Sequence, residues 1–235
     1  TRPAALSCAV VAALAFAACN SSGEDSRNHR LALWDAVSGD WRFISPAGRD
    51  IDGDQVLLIT AGEMDAPAVV ATVMSNLALE VALRKQGRKL IRTNVGDKYV
   101  LEEMVKQNLP IGGEQSGHII FRRYATTGDG LLTAIRLLEV MSKTGKCVDE
   151  LTDGYKLYPQ VLLNVRVKER KPLAELASVQ AEIREAEYEL GDNGRVLVRF
   201  SGTEPLARVM VEGAEEAMVN RLAAKIADSI RAALT

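Results

Sequence analysis

The stretch Ala66-Pro-Ala-Val-Val-Ala-Thr-Val-Met74 has the β-branched density of a strand buried on both faces, as strands of parallel sheets are. Parallel strands need crossover segments, usually helices, and the residues around this stretch supply them. A helix begins at Gln55. A second is expected over 76–86, with apolar Leu77, Leu79, Val81 and Leu83, and Gly87 ends it. Residues 89–93 read as a short strand, and Val95-Gly-Asp-Lys98 turns into a helix over 99–108. Such alternation marks a doubly wound α/β sheet, in which ligands gather at loops past the carboxyl ends of the strands. Lys98 is expected in such a loop, either facing a phosphate or sugar hydroxyl or as a plain surface lysine. Further on, 131–142 reads as a helix with an apolar stripe of Leu131, Ala134, Ile135, Leu138 and Met141. Its N-cap is Thr127 or Asp129. A short helix over 148–153 closes this unit.

A second unit begins at Tyr155. Its elements are a strand over 158–168, a helix over 173–190, a turn at Gly191-Asp-Asn-Gly194, strands over 194–199 and 209–212, and a helix over 215–234. That last helix carries Val219, Leu222, Ile226 and Ile230 on one face. The order β-α-β-β-α makes a small α+β domain with both helices on one side of its sheet. A chain of 235 residues, 47% hydrophobic and 26% charged, can build both cores. The expected architecture is a three-layer α/β domain over 43–153 and a small α+β domain over 154–235, preceded by an atypical segment over 1–42.

The formal net charge of -2 gives no global attraction to nucleic acid or an anionic membrane, so any anion binding has to be local. One loop is built for it: Arg199-Phe-Ser-Gly-Thr-Glu-Pro-Leu-Ala-Arg208. Ser201 and Thr203 bring hydroxyls, and Gly202 exposes a backbone amide. Arg199 and Arg208 flank them with guanidinium forks suited to phosphate oxygens. The same string also reads as a hairpin with solvated arginines. A second loop, Ile111-Gly-Gly-Glu-Gln-Ser-Gly-His118, sets Glu114, Ser116 and His118 among glycines. A carboxylate, a hydroxyl and an imidazole there could hydrogen-bond vicinal sugar hydroxyls, or form a turn with a satisfied histidine. Asp52-Gly-Asp54 suggests either a cation loop or the cap of the helix that follows; two carboxylates are few for a cation.

Both loops resemble those of the α-D-phosphohexomutases. Arg-x-Ser-Gly-Thr-Glu-Pro-x-x-Arg looks like that family's phosphate-binding loop, and Gly-Glu-x-Ser-Gly-His like its sugar-recognition loop. They occur in family order together with Thr93-x-Val-Gly-Asp-Lys98, Thr126-Thr-Gly-Asp-Gly130 and Tyr158-Pro-Gln160. The resemblance covers roughly residues 43 to 235, the last two of the family's four domains. It implies an isomerase that transfers phosphate within a hexose through a phosphoserine and a bisphosphate, aided by Mg²⁺. The implied ligand is a hexose phosphate, most like glucosamine 6-phosphate and glucosamine 1-phosphate, with mannose and glucose phosphates as alternatives. It further implies that Lys98, Glu114, Ser116 and His118 contact the sugar, His118 with a candidate role in proton transfer. Arg199, Ser201, Gly202, Thr203 and Arg208 would hold the phosphate. The family's metal loop, Asp-Gly-Asp-x-Asp-Arg, counts back from Asp52 to residues 35–40. There Asp35 alone falls in register and Asp40 comes one place late, so Asp35 is a remnant and Mg²⁺ is not expected on this stretch. No stretch matches the phosphoserine loop, and the chain by itself is expected to bind hexose phosphates weakly without turnover. A non-catalytic phosphosugar-binding or interaction module is the other reading, and a homodimer is compatible with either.

Residues 9–19 form a short apolar run ending in Ala17-Ala18-Cys19. It reads as a helix fragment at an atypical start, or as the cleavage region of an exported lipoprotein. Cys8, Cys19 and Cys147 form no metal or disulfide spacing, which suits a reducing cytoplasm for the body of the chain.

Overall fold

The computed structural model of the chain describes residues 32–35, 40–45, 47–169, 171–202 and 204–234. The expectations resting on 9–19, on Ala17-Ala18-Cys19, on the side chain of Asp35 and on Thr203 fall outside the described residues. The chain divides into two compact units. One comprises the chain through Ser75 together with Leu79–Tyr155; the other comprises Asn76–Ala78 and the chain from Lys156.

The first unit is a three-layer α/β/α structure. It opens with a small antiparallel sheet of β1 (Ala32–Asp35), β2 (Asp40–Ile44) and β3 (Asp50–Ile51). Asp52 then caps α1 (Gly53–Glu63): its carboxylate accepts from the Gln55 amide, and the Gln55 side chain returns a bond to the Asp52 amide. The cap reading of Asp52 is therefore the one realised. The remaining elements are β4 (Ala68–Thr72), α2 (Leu77–Lys85), β5 (Lys89–Thr93), α3 (Asp97–Lys106), β6 (Ile111–Gly113), β7 (Ile119–Phe121), α4 (Gly130–Thr144) and α5 (Val148–Leu151).

The main sheet runs β5-β4-β6-β7, with β4 parallel to both neighbours and β7 antiparallel to β6. Alternation along β4 divides the core. Val69 and Ala71 point to α1, α4 and Leu79 and Leu83 of α2, while Ala68 and Val70 point to Val100 and Met104 of α3. Every residue of β4 is buried, as its β-branched composition required.

Two expectations need correction. Residues 111–113, read as part of a loop, pair as a strand with β4. A Cβ on Gly112 would lie 2.8 Å from the Val70 carbonyl oxygen and 2.8 Å from Met104 Sδ, so only glycine lets α3 lie this close to the sheet. On α4, Leu131 and Ile135 were expected inward but are 49% and 53% exposed; Thr133, Ala134, Leu137 and Val140 face the core instead. Asp129 is the N-cap, accepting from the Leu132 amide.

The second unit contains β8 (Gln160–Arg166), α6 (Ala177–Leu190), β9 (Gly194–Phe200), β10 (Leu206–Gly213) and α7 (Glu216–Leu234). The sheet order is β8-β10-β9, antiparallel throughout. Val165, Ala207, Val209 and Val211 share a core with Val219, Leu222, Ile226 and Ile230 of α7 and with Val179 and Ala186 of α6. Both helices therefore cover one face, as the sequence pattern led one to expect. On the other face Glu212 is fully buried, ion-paired to Arg195 and hydrogen-bonded by the amide of Asn76 at 3.2 Å. No helix among the described residues is long and apolar enough to cross a membrane.

Candidate functional site

In the first unit, the hairpin tip joining β6 to β7 is pressed against the start of α1. The Gly53 amide donates to the Gln115 carbonyl at 2.9 Å, and a Cβ on Gly53 would come within 2.0 Å of the Glu114 carbonyl oxygen. Glycine is the residue that permits this approach. The tip closes on itself through Glu114 N–H to the His118 carbonyl at 3.0 Å and Gly117 N–H to the Glu114 carbonyl at 3.0 Å. Glu114 Oε1 accepts from the Gly96 amide at 2.8 Å, which ties the tip to the loop before α3. Ser116 Oγ lies 3.4 Å from Glu114 Oε2 and 3.2 Å from His118 Nδ1.

A cleft of about 460 Å³ opens there, lined by Asp52, Thr72, Met74, Val95, Glu114 and Ser116, with Gln115 beside them. Thr72 is the last residue of β4, so the cleft lies at the carboxyl end of a parallel strand. Of the predicted sugar contacts, Glu114 and Ser116 line it. His118 is exposed, and its ring approaches Ser116 Oγ rather than the cleft lining. Lys98 lies in the first turn of α3 rather than in a loop, with its side chain 77% exposed and Nζ 3.8 Å from Glu102. Asp52 is the residue that sequence reasoning did not place here. Beyond capping α1, its Oδ2 accepts from Gln115 Nε2 at 3.3 Å and faces the cleft. The signal that could have found it, a capping aspartate beside Gly53, acquires meaning only when a loop 63 residues away packs on that glycine. Among the described residues that line it, the cleft thus holds two carboxylates and no lysine, arginine or histidine.

In the second unit, Arg199 of β9 and Arg208 of β10 are direct cross-strand partners, with Asn164 of β8 on the other side of Arg208. Side-chain alternation sends Val198, Ala207 and Val209 to the helices, so both arginines stand on the opposite face. Cross-strand Cβ atoms lie about 4.5–5.5 Å apart, and like charges so placed repel. The connecting turn is closed by the Ser201 amide donating to the Leu206 carbonyl at 2.8 Å. Ser201 is buried, and its Oγ lies 3.5 Å from Arg208 Nη2 and 3.4 Å from the Glu204 amide. Gly202 is exposed at the tip. Arg208 Nη2 donates to Glu204 Oε2 at 3.2 Å, while its Nε is buried with no hydrogen-bond partner among the described residues. The side chain of Arg199 has no hydrogen-bond or ion-pair partner among them either. Two cross-strand arginines with donors to spare, a hydroxyl and an exposed glycine at the turn make up the chemistry of an oxyanion site.

Among the described residues no group of three or more His, Cys, Asp or Glu could hold a metal ion. Asp52 is engaged by Gln55 and Gln115, and Asp54 is fully buried in the first turn of α1, so this pair does not form a Mg²⁺ site.

Residues 52–158 match the family model described as phosphoglucomutase/phosphomannomutase, alpha/beta/alpha domain III. Residues 162–229 match phosphoglucomutase/phosphomannomutase, C-terminal domain. A phosphoglucosamine mutase of Solibacter usitatus is 53% identical over 212 residues, which is 86% of this chain and 48% of that protein. One of Koribacter versatilis is 51% identical over 199 residues, 82% of this chain and 43% of that protein. The chain thus spans about half the length of the curated relatives it matches. The fold is similar to that of Aspergillus fumigatus N-acetylphosphoglucosamine mutase in complex with GlcNAc-6P and magnesium. The TM-score is 0.65 at 21% identity, over 83% of this chain and 47% of that one.

Proposed function

The chain belongs to the phosphoglucomutase/phosphomannomutase family, and from that premise we propose that it carries the ligand-holding machinery of a phosphoglucosamine mutase. In this reading the unit ending at Tyr155 is the sugar-binding domain and the unit from Lys156 is the phosphate-binding domain. The segment before residue 43 is the end of the metal-loop domain. The full protein would interconvert glucosamine 6-phosphate and glucosamine 1-phosphate in the cytoplasm, where phosphosugars are made and used.

The observation that carries the reading is the direct pairing of Arg199 with Arg208. Folding gains nothing from setting two cations opposite each other, whereas a phosphate dianion placed on them neutralises both. Arg199 would offer its whole fork, and Arg208 its terminal nitrogens, to different phosphate oxygens. Ser201 Oγ and the Gly202 amide would complete the shell.

The cleft of the first unit supports an amino sugar over a plain hexose. Its two carboxylates, Asp52 and Glu114, accept from neutral donors, and no cationic side chain among the described residues lines the cleft to balance them. A sugar ammonium would form charge-assisted hydrogen bonds there, stronger than those of a hydroxyl at the same position. Ser116 would bond a ring hydroxyl beside it. Mg²⁺ would supply charge neutralisation to the family's reaction; no group of three or more His, Cys, Asp or Glu among the described residues would hold it.

Calorimetric titration with glucosamine 6-phosphate tests this reading. Saturable binding is expected, stronger than for glucose 6-phosphate at a pH where the amine is protonated. Equal affinity for the two sugars would remove the case for glucosamine, and no loss of binding in Arg199→Ala would remove the phosphate site.

A further inference from the structure

Glu204 is the one acidic side chain on the turn between the two arginines, and its carboxylate already occupies part of the fork that a phosphate would need. Its Oε2 lies 3.2 Å from Arg208 Nη2, the same nitrogen that approaches Ser201 Oγ at 3.5 Å. The pair is accessible, with Arg208 31% and Glu204 55% exposed. Arg199, across the strand, has no such partner among the described residues. The hairpin therefore carries two cations and one anion at its mouth, and the anion lies on the arginine whose Nε is buried without an acceptor.

We propose that Glu204 is a built-in counter-ion of the oxyanion site, which a phosphate group displaces from Arg208. The inference rests on the reading of Arg199, Ser201 and Arg208 as a phosphate site and adds a residue that opposes binding there. A carboxylate and a phosphate compete for the same donor. A phosphate dianion close to Glu204 also meets its charge, whereas with the carboxylate swung into water it faces two unshared guanidiniums. Breaking the Glu204–Arg208 pair itself costs little, because an exposed ion pair contributes only about 0.2–1 kcal/mol. Glu204 would also shield the Arg199–Arg208 repulsion when phosphate leaves, which makes release easier. A site that must both grip a phosphosugar and let it go gains from such an exchange. The competing account is that Glu204 stays bound and aims Arg208 at the ligand; the two accounts differ in sign.

The experiment is calorimetric titration of inorganic phosphate, and separately of glucosamine 6-phosphate, into the chain, Glu204→Gln and Arg199→Ala at low ionic strength. Thermal melts confirm that each variant is folded. Glu204→Gln is expected to bind both ligands about 2- to 5-fold more tightly, the span of an exposed ion pair. Arg199→Ala is expected to bind at least about tenfold more weakly. Weaker or unchanged binding by Glu204→Gln, with the Arg199→Ala loss intact, would overturn the counter-ion proposal and leave the phosphate site standing. Failure of all three proteins to bind either ligand would overturn both.

Discussion

Arg199 on β9 and Arg208 on β10 are register partners, two guanidinium-bearing residues facing each other across antiparallel strands, with the carboxylate of Glu204 paired to Arg208. Such an arrangement should cost folding and favour ligand, and the two effects can be separated. Arg199→Ala is expected to raise the unfolding free energy by about 0.2–1 kcal/mol through relief of repulsion. Its affinity for glucosamine 6-phosphate should fall at least about tenfold. Urea unfolding and calorimetry on the same preparation check both. A loss of stability together with affinity would mean that the arginine serves packing.

The cleft of the first unit offers a cleaner substitution. Asn caps a helix about as well as Asp, so Asp52→Asn should keep α1 and its melting behaviour while removing one of two carboxylates. The preference for glucosamine 6-phosphate over glucose 6-phosphate should drop about 5-fold, the difference between a charge-assisted and a neutral hydrogen bond. Competition titrations with the two sugars measure it. An unchanged ratio would show that Asp52 serves the helix alone.

Glu212 is fully buried, bonded to Arg195 and to Asn76, whose amide also holds the Tyr158 backbone at both its N–H and its carbonyl. Removing one partner leaves a buried charge uncompensated. Arg195→Ala should therefore destabilise the second unit by about 3–5 kcal/mol, read from the urea midpoint. Replacing the exposed partner of a surface pair, as in Lys225→Ala, should change it by less than about 1 kcal/mol.

The Asp149 carboxylate ties the turn after β2 to α5. Burial alone would raise its pKa, but hydrogen bonds from Arg49, Ser45 and the Ala47 amide outweigh burial and hold it below the ordinary range. The folded state therefore binds this proton less readily than the unfolded chain. The resulting stability is complete above the unfolded value of about 3.9 and is lost as pH falls through the folded value. The stability advantage of the wild type over Asp149→Asn should hold at neutral pH and shrink below about pH 4. Melts of both proteins across that range test it; a constant difference would contradict the assignment.

Much of the fold could be read from the sequence because local and tertiary signals agreed. The buried run of β4 and the inward stripe Val219, Leu222, Ile226 and Ile230 of α7 follow from residue type and spacing, and the cap of α4 is one of the two residues, Thr127 and Asp129, that the sequence offered. Helix α4 is different. Apolar residues occur around most of its circumference, so periodicity does not choose a face, and packing against α1 leaves Leu131 and Ile135 outside. β6 was hidden by Gly112 and Gly113, poor strand formers that are needed because β4 and α3 lie against the first, and His118 and Ile119 against the second. At the site, residue types pointed to Glu114, Ser116 and the arginines. The opposition of Arg199 to Arg208 depends on hairpin register, and the second role of Asp52 on a contact 63 residues distant; neither is local information.

On the proposed reading, this chain recognises an amino-sugar phosphate through two separately built sites. Amide-resolved NMR titration with glucosamine 6-phosphate tests it most directly. The expected result is two saturable sets of shift changes, one at Ser201, Gly202 and Arg208 and one at Glu114, Gln115 and Ser116. Inorganic phosphate should reproduce the first set, and free glucosamine the second. Shifts confined to other surfaces, or the same shifts with glucose as with glucosamine, would contradict the account.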